Sequence, residues 1–346
     1  MASRCSRRHF MIGSGVALGL GLLGGERVLA AQDDAPATSL GWADDLSDNG
    51  KLNVVTTVAP ISSIVRNIGG TKINLRGVVP DGTNSHTFEP APSDAKVLAS
   101  ADVIFVNGLN LELPTLELAE ANLKDGAEIV ALGDLTITPE EWKFDFSFPE
   151  EDGDPNPHLW TNVPFAKRYA EIVAETLSAR DPENAAYYEA NLAAFSAVLD
   201  ALDAGIVAAI QSIPEANRKL LTYHDSWAYF APHVGMTVIG AAQPSDFSEP
   251  SPKDVATLIE QIKAAQVPAV FGSEVFASDV LEQIAKESGA VYIDQLRDDD
   301  PPGEPNAPEH TYIGMMLKNM DLMVNALGGS TEALAGIEPW DTYAQD

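Results

Sequence analysis

Cysteine is almost absent from this sequence, because Cys5 is the only one among 346 residues. Cys5 precedes the first apolar run, so a chain cleaved after that run contains no thiol. Its position also argues against a lipidated cysteine at the cleavage site. Disulfides and thiolate metal ligands are therefore excluded from the cleaved chain, although an oxidising compartment would permit disulfides. Any metal that it binds must be held by histidine, aspartate or glutamate.

Basic residues are also scarce, with 21 lysines and arginines against 51 aspartates and glutamates, a net charge of −30. Residues 1–30 contain four arginines and one glutamate, so the remaining chain has a net charge of −33. Such an acidic surface repels nucleic acid and anionic membranes, which we exclude as partners. Salt screens its attraction for cations within ~8 Å, so acidity alone does not identify a cation-binding protein.

Long hydrophobic runs are missing as well. The first run, MIGSGVALGLGLLGG, has 15 residues, whereas a helix needs ~20 to span a bilayer. It follows Arg7 and Arg8 and precedes small residues and a polar stretch. This pattern predicts an export signal of the twin-arginine type over residues 1–30, cleaved near Ala30. We expect an extracytoplasmic protein with no later segment able to span the membrane.

The remaining chain alternates short β-branched runs with helical patterns. Residues 31–50 are polar and predict a flexible leader, and residues 329–346 predict an acidic tail. Between them, four predicted strands lie in an N-terminal lobe (51–181) and four in a C-terminal lobe (214–328). The alternation predicts an α/β fold of two similar lobes, each a four-stranded, mainly parallel sheet flanked by helices. The runs are LNVVTT, INLRGVV, DVIFVN, AEIVAL, KLLTYH, MTVIGA, PAVFGS and AVYID.

Residues 182–213 predict one long helix between the lobes. Asp181 is a candidate cap, and Pro182 suits the first helical turn. The 32 residues from Pro182 to Ile213 contain no further proline, which corresponds to ~48 Å of helix at 1.5 Å per residue. A stiff connector between two lobes implies a cleft between them.

Histidine is rare, with six in the whole chain, yet three occupy strand-end or proline-rich loop positions. His86 lies in NSHTFEPAPSD, His158 in DGDPNPHLW, and His224 at the end of KLLTYH, while Asp294 ends AVYID. Ligands of open α/β sheets bind beyond the carboxyl ends of strands. A single loop histidine is usually an ordinary surface residue. Three histidines and one aspartate in such positions, two from each lobe, predict one metal site in the cleft. Three neutral imidazoles and a carboxylate suit four-coordinate zinc, whereas manganese prefers more oxygen ligands.

The same stretches resemble the extracytoplasmic metal-receptor subunits of zinc and manganese ABC importers. The similarity runs from residue 52 to about 327 and includes GTNSHTFEPAPSD, NPHLWTNVPFAKRYAEIVAETL, LLTYHDSWAYF and AVYIDQL. It implies that His86, His158, His224 and Asp294 bind one metal and that the connecting helix is rigid. Manganese-type members usually have glutamate at the position of His224, which favours zinc here. Some members with three histidines and one aspartate accept manganese, so manganese is the alternative.

The expected function is capture of a divalent metal outside the cytoplasmic membrane and delivery to an ABC permease, by a monomer that is not an enzyme. One rival is a metallohydrolase, although the sequence has no HExxH, GxSxG or phosphate-loop motif. Another is an adhesin or peptide receptor.

Zinc-type relatives often carry a histidine-rich acidic loop, but the acidic segment 139–157 lacks histidine. The roles of this segment and of His310 stay open. His310 suits either an accessory cation contact or, more commonly for such a position, a solvated loop residue.

Overall fold

Eight strands form where the sequence shows β-branched runs. The computed structural model describes residues 46–245, 247–275, 278–305 and 307–345. The predicted export signal and residues 31–45 of the leader lie outside these ranges. The strands are β1 (Leu52–Thr56), β2 (Ile73–Gly77), β3 (Val103–Val106), β4 (Glu128–Ala131), β5 (Lys219–Thr222), β6 (Thr237–Ala241), β7 (Ala269–Ser273) and β8 (Val291–Leu296).

The strands make two four-stranded sheets, ordered β2-β1-β3-β4 and β6-β5-β7-β8. All their pairings are parallel. The strands are rich in valine, leucine and isoleucine because helices cover both faces of a parallel sheet. This arrangement confirms the predicted α/β fold with two similar lobes. The pairing of β7 with β8 shifts register between Phe271 and Ser273, a local irregularity that affects the site described below.

Nine helices surround the sheets in the described residues. Proline occupies the first turn of several, including α1, α4 and α7, where its missing N–H costs no hydrogen bond. The helices are α1 (Ala59–Gly69), α2 (Asp94–Ser100), α3 (Leu113–Asn122), α4 (Val163–Arg180), α5 (Ala185–Ser212), α6 (Phe230–Val234), α7 (Pro252–Ala265), α8 (Asp279–Ser288) and α9 (Tyr312–Ala326).

The long helix predicted from Pro182 is present, with a 3₁₀ turn (Pro182–Asn184) before the 28 residues of α5. Asp181 does not cap its backbone. Instead, the Asp181 carboxylate accepts hydrogen bonds from the side chains of Asn184 and Tyr188, each at 2.7 Å. The apolar side of the helix is part of the protein core.

The segment Pro182–Ser212 is long enough to cross a membrane, and its most apolar 18-residue window, with a mean hydropathy of 1.8, is apolar enough. The expectation that no later segment meets this criterion was therefore wrong. About two fifths of its most apolar window (39%) is buried inside the protein, and Phe195, Leu199 and Leu202 are fully buried. A core helix passes the same test of length and hydropathy, so the test does not indicate a membrane span here.

The last residues pack back onto the helices, although their sequence shows no periodic apolar face. Leu334 is buried against α5 at Gly205. Farther on, the Thr342 amide donates to Asn67 Oδ1 at 2.7 Å, and the Ala344 amide donates to Asn191 Oδ1 at 3.0 Å. This C-terminal segment thus connects α1 and α5.

Candidate metal centre

Three of the predicted ligands, His86, His158 and His224, meet between the two sheets and form what we call the histidine cluster. His86 Nε2 lies 3.0 Å from His158 Nε2, which lies 3.2 Å from His224 Nε2. One ligand atom from each residue falls within 4.8 Å of the others. Tetrahedral zinc with bonds of 2.0–2.1 Å places its ligand atoms ~3.3 Å apart. The spacing of the histidine cluster therefore fits one metal ion.

Each histidine is placed by a short local structure. His86 lies in a 3₁₀ turn (Ser85–Thr87) after β2, where its amide donates to Asn84 Oδ1 at 2.8 Å. His158 comes immediately before a 3₁₀ turn (Leu159–Thr161) that leads into α4. His224 follows β5 at its carboxyl end, the position at which open α/β sheets bind ligands.

Hydrogen bonds fix the tautomers of two imidazoles. His158 Nδ1 lies 2.9 Å from Asn156 Oδ1, and His224 Nδ1 lies 2.8 Å from Gln243 Oε1. An amide oxygen only accepts, so each Nδ1 carries the proton and each Nε2 presents a lone pair. The Asn156 orientation is itself set, because its Nδ2 donates to Asp145 Oδ2 and to the Asp225 carbonyl at 2.6 Å. Two lone pairs that face each other repel unless a cation lies between them.

Burial keeps these imidazoles neutral. It lowers the pKa of His86 and His158 well below 6.5, with a further contribution from the neighbouring histidines. Burial also lowers the pKa of His224 to about 4. A metal entering at neutral pH therefore displaces no proton from them. Protonation of these histidines competes with metal only at a pH below the ~6.5 of free imidazole.

The fourth predicted ligand, Asp294, is not brought to the histidine cluster. Strand β8 continues past it to Leu296, and Asp294 is exposed within that strand. Its carboxylate lies beside Tyr292, whose pKa is raised by burial and then by Asp294. The sequence-based assignment placed the end of the strand at Asp294, and the strand is two residues longer.

Asp298, which the sequence reasoning missed, occupies the place expected for Asp294. Its Oδ2 lies 3.9 Å from His158 Nε2, and its side chain is 6% exposed. Burial, followed by the Glu274 and Asp299 carboxylates, raises the pKa of Asp298. A metal ion beside it would favour the ionised form. The available signal was the run of three aspartates, 298–300, directly beyond the last strand.

Glu274 holds the loop that carries Asp298. Its Oε1 accepts the backbone N–H groups of Asp298, Asp299 and Asp300 at 3.0, 2.9 and 2.9 Å. The Trp160 indole also donates to the Asp298 carbonyl at 2.7 Å.

The same loop is bonded to the loop of His86. The Asp299 carboxylate accepts from Ser85 N at 3.2 Å and from Ser85 Oγ at 2.9 Å. The next residue, Asp300, accepts from the amide of Gly82. These bonds hold two candidate ligands from different lobes in one arrangement.

The two remaining histidines of the described chain lie elsewhere. His310 is 3% exposed, with its Nε2 3.6 Å from Asp81 Oδ2, so it is not a solvated loop residue. His233 forms a surface pair with Asp203, at 2.7 Å. Neither belongs to the histidine cluster.

Comparison with known proteins identifies the family. The sequence profile described as zinc-uptake complex component A, periplasmic, matches residues 54–326. The chain belongs to this family. It is 30% identical over 290 residues to the metal ABC transporter substrate-binding lipoprotein FimA of Streptococcus parasanguinis, covering 81% of this chain and 90% of that protein. It is 29% identical over 292 residues to the manganese ABC transporter substrate-binding lipoprotein PsaA of Streptococcus pneumoniae, with 81% and 90% coverage.

A solved structure supports the same assignment. The periplasmic zinc-binding protein TroA from Treponema pallidum matches with a TM-score of 0.73 and 30% identity, covering 80% of this chain and 99% of that one. The zinc-uptake component family consists of substrate-binding receptors of importers rather than enzymes, and its members act outside the cytoplasmic membrane. The twin-arginine signal and its cleavage near Ala30 lie outside the described residues and stay predictions.

Proposed function

We propose that this protein binds one divalent transition metal ion, zinc in preference to manganese, and delivers it to an ABC permease. The observation that carries the proposal is the convergence of His158 Nε2 and His224 Nε2 at 3.2 Å while both Nδ1 atoms are bonded to amide oxygens. Two facing Nε2 lone pairs repel each other, and a cation bound between them removes that repulsion. His86 supplies the third ligand, and Asp298 replaces Asp294 as the fourth.

The ligand set favours zinc. Three imidazole nitrogens and one carboxylate oxygen satisfy its preferred tetrahedral coordination. Four protein ligands leave no open position on which the metal can activate a water molecule. The site therefore suits capture and release of the ion, and it argues against the metallohydrolase alternative.

Manganese is the second candidate. Relatives at similar identity are named as binding different metals, zinc for TroA and manganese for PsaA. Asp298 supplies a carboxylate, the kind of ligand that manganese prefers. The three nitrogen ligands weigh against manganese, because its usual coordination is six with mostly oxygen donors.

Elemental analysis of protein purified without added metal tests the proposal, together with competitive titration of zinc and manganese. We expect one equivalent of metal and tighter binding of zinc.

His158→Ala should weaken zinc binding at least ~100-fold, since it removes a buried ligand. His233→Ala is the matched control and should change affinity less than ~twofold, because His233 pairs with Asp203 away from the histidine cluster. Equal losses from the two substitutions would contradict the assignment.

We further propose that the protein acts as an exported monomer after removal of residues 1–30. The acidic surface, with a net charge of −33 beyond residue 30, keeps copies apart by repulsion. Amino-terminal sequencing of the exported protein should begin near Ala31. An intact Met1 on the exported protein would contradict cleavage.

A further inference from the structure

Two phenylalanine rings cover the histidine cluster, one from each lobe. Phe148 lies in the acidic segment between β4 and α4, and its ring centroid is 5.4, 5.7 and 5.6 Å from those of His86, His158 and His224. Phe247 lies between β6 and α7, with its ring 4.8 Å from His86 and 5.9 Å from His224. The two phenylalanine rings are 6.2 Å apart. We call this pair the aromatic lid.

Phe247 has a backbone conformation that is unusual for an aromatic residue. Its φ is +56°, in the left-handed region that bulky side chains rarely adopt and glycine adopts freely. Its ring stacks on the His86 imidazole with an interplanar angle of 24°. Strained residues of this kind are concentrated at functional sites. The contact with His86 is one that a glycine at this position could not make.

The aromatic lid narrows the approach to His86. Both phenylalanines and His86 line a cavity of about 110 Å³, together with Asp152 and Asp154 of the acidic segment. His86 is partly exposed on this side, whereas His158 is 0% and His224 4% exposed. Water thus reaches the histidine cluster from this side through a space that the two apolar rings line in part.

We infer that the aromatic lid determines metal specificity by limiting how many water molecules reach the bound ion. The inference deepens the proposed function and rests on it. The coordination shell of zinc is complete with four protein ligands. Manganese requires additional oxygen ligands, which water must supply. Apolar rings beside the ion occupy space that those waters would fill and offer no hydrogen bond to orient them. The binding affinity of manganese is therefore reduced more than that of zinc.

Replacement of Phe247 tests the inference, because this residue is partly exposed and its loss leaves the buried core intact. The dissociation constants of zinc and manganese are measured by competition, and zinc release is measured by stopped-flow mixing with a chelator. For Phe247→Ala we expect the ratio of zinc to manganese affinity to fall about tenfold and zinc release to accelerate about tenfold. Phe146→Ala is the matched control, because Phe146 is 51% exposed and lines a different cavity. The affinity ratio and the zinc release rate of this control should match those of the unsubstituted protein within ~twofold.

A second substitution separates the ring from the backbone. Phe247→Gly removes the same ring but adopts the left-handed backbone without strain, so it should melt at a higher temperature than Phe247→Ala. Both variants should show the same loss of metal specificity. An unchanged affinity ratio in either variant overturns the inference, even if zinc release becomes faster. If the unsubstituted protein binds neither metal, the proposed function itself fails, which is a different result.

Discussion

At the scale of single residues, the identity of the fourth ligand depends on a local irregularity of the backbone. The register of β7 against β8 shifts between Phe271 and Ser273, and Gln295 has a φ of +65°. Both features lie beside Asp294 and redirect the chain before it leaves the sheet. Asp298 consequently reaches the histidine cluster, while Asp294 stays exposed on the strand.

Substitution of the two aspartates tests this assignment. Asp298→Ala removes the carboxylate that lies 3.9 Å from His158 Nε2, so zinc affinity should fall at least ~100-fold. Asp294→Ala is the control, of the same chemistry and four positions away, and should change zinc affinity less than ~twofold. Isothermal titration with a competing chelator measures both. A large loss from Asp294→Ala would restore the sequence-based assignment.

At the scale of elements, α5 and the C-terminal segment fit closely at one glycine. A Cβ added to Gly205 would lie 2.7 Å from Leu334 Cδ2 and 3.0 Å from the Ala333 carbonyl oxygen. Glycine inside a helix normally costs stability. Here it provides the space in which the C-terminal segment packs.

Gly205→Val should therefore destabilise the protein by about 1–3 kcal/mol, the usual cost of overpacking. Ala204→Val is a matched control at the neighbouring exposed position of the same helix. It should cost less than ~1 kcal/mol, since only helix propensity changes. Urea unfolding of the metal-free variants measures the difference. Equal stability of the two would mean that the C-terminal segment does not need this contact.

At the scale of the whole molecule, several carboxylates are buried in a protein that already carries a net charge of −30. Burial raises the pKa of Glu112 to about 7, although Thr57, Asn107 and Gly108 donate hydrogen bonds to it. Burial and then the Asp225 carboxylate raise the pKa of Asp145 to about 8. The same groups titrate near ~4 in an unfolded chain. At neutral pH the folded state therefore binds more protons than the unfolded state does.

From this difference we expect the metal-free protein to lose stability as pH rises from 6.5 to 8.5. Stability contributed by a carboxyl with a raised pKa is present at low pH and is lost as pH passes its folded pKa. The expected decrease in the free energy of unfolding is ~2 kcal/mol or more. The histidine cluster does not oppose it, because histidines with lowered pKa values affect stability only below ~6.5. Urea unfolding at the two pH values measures the change.

Asp145→Asn provides the control, because it removes one titrating group. Its stability should decrease less steeply over the same pH range than that of the unsubstituted protein. A free energy of unfolding that stays constant or increases between pH 6.5 and 8.5 would contradict the raised pKa values.

The sequence alone determined the architecture and three of the candidate ligands. Strands of a parallel sheet are buried on both faces, so each appears as a local β-branched run, and proline marks where helices begin. His86, His158 and His224 could be predicted because strand ends and proline-rich loops have recognisable local patterns.

Only the tertiary structure decided the fourth ligand, the aromatic lid and the burial of His310. Each depends on contacts between residues far apart in the chain, such as the bond between Ser85 and Asp299 across 214 positions. A register shift in β8 or a left-handed Phe247 leaves no periodic pattern in the sequence. Such features result from packing between the lobes, which local propensity does not specify.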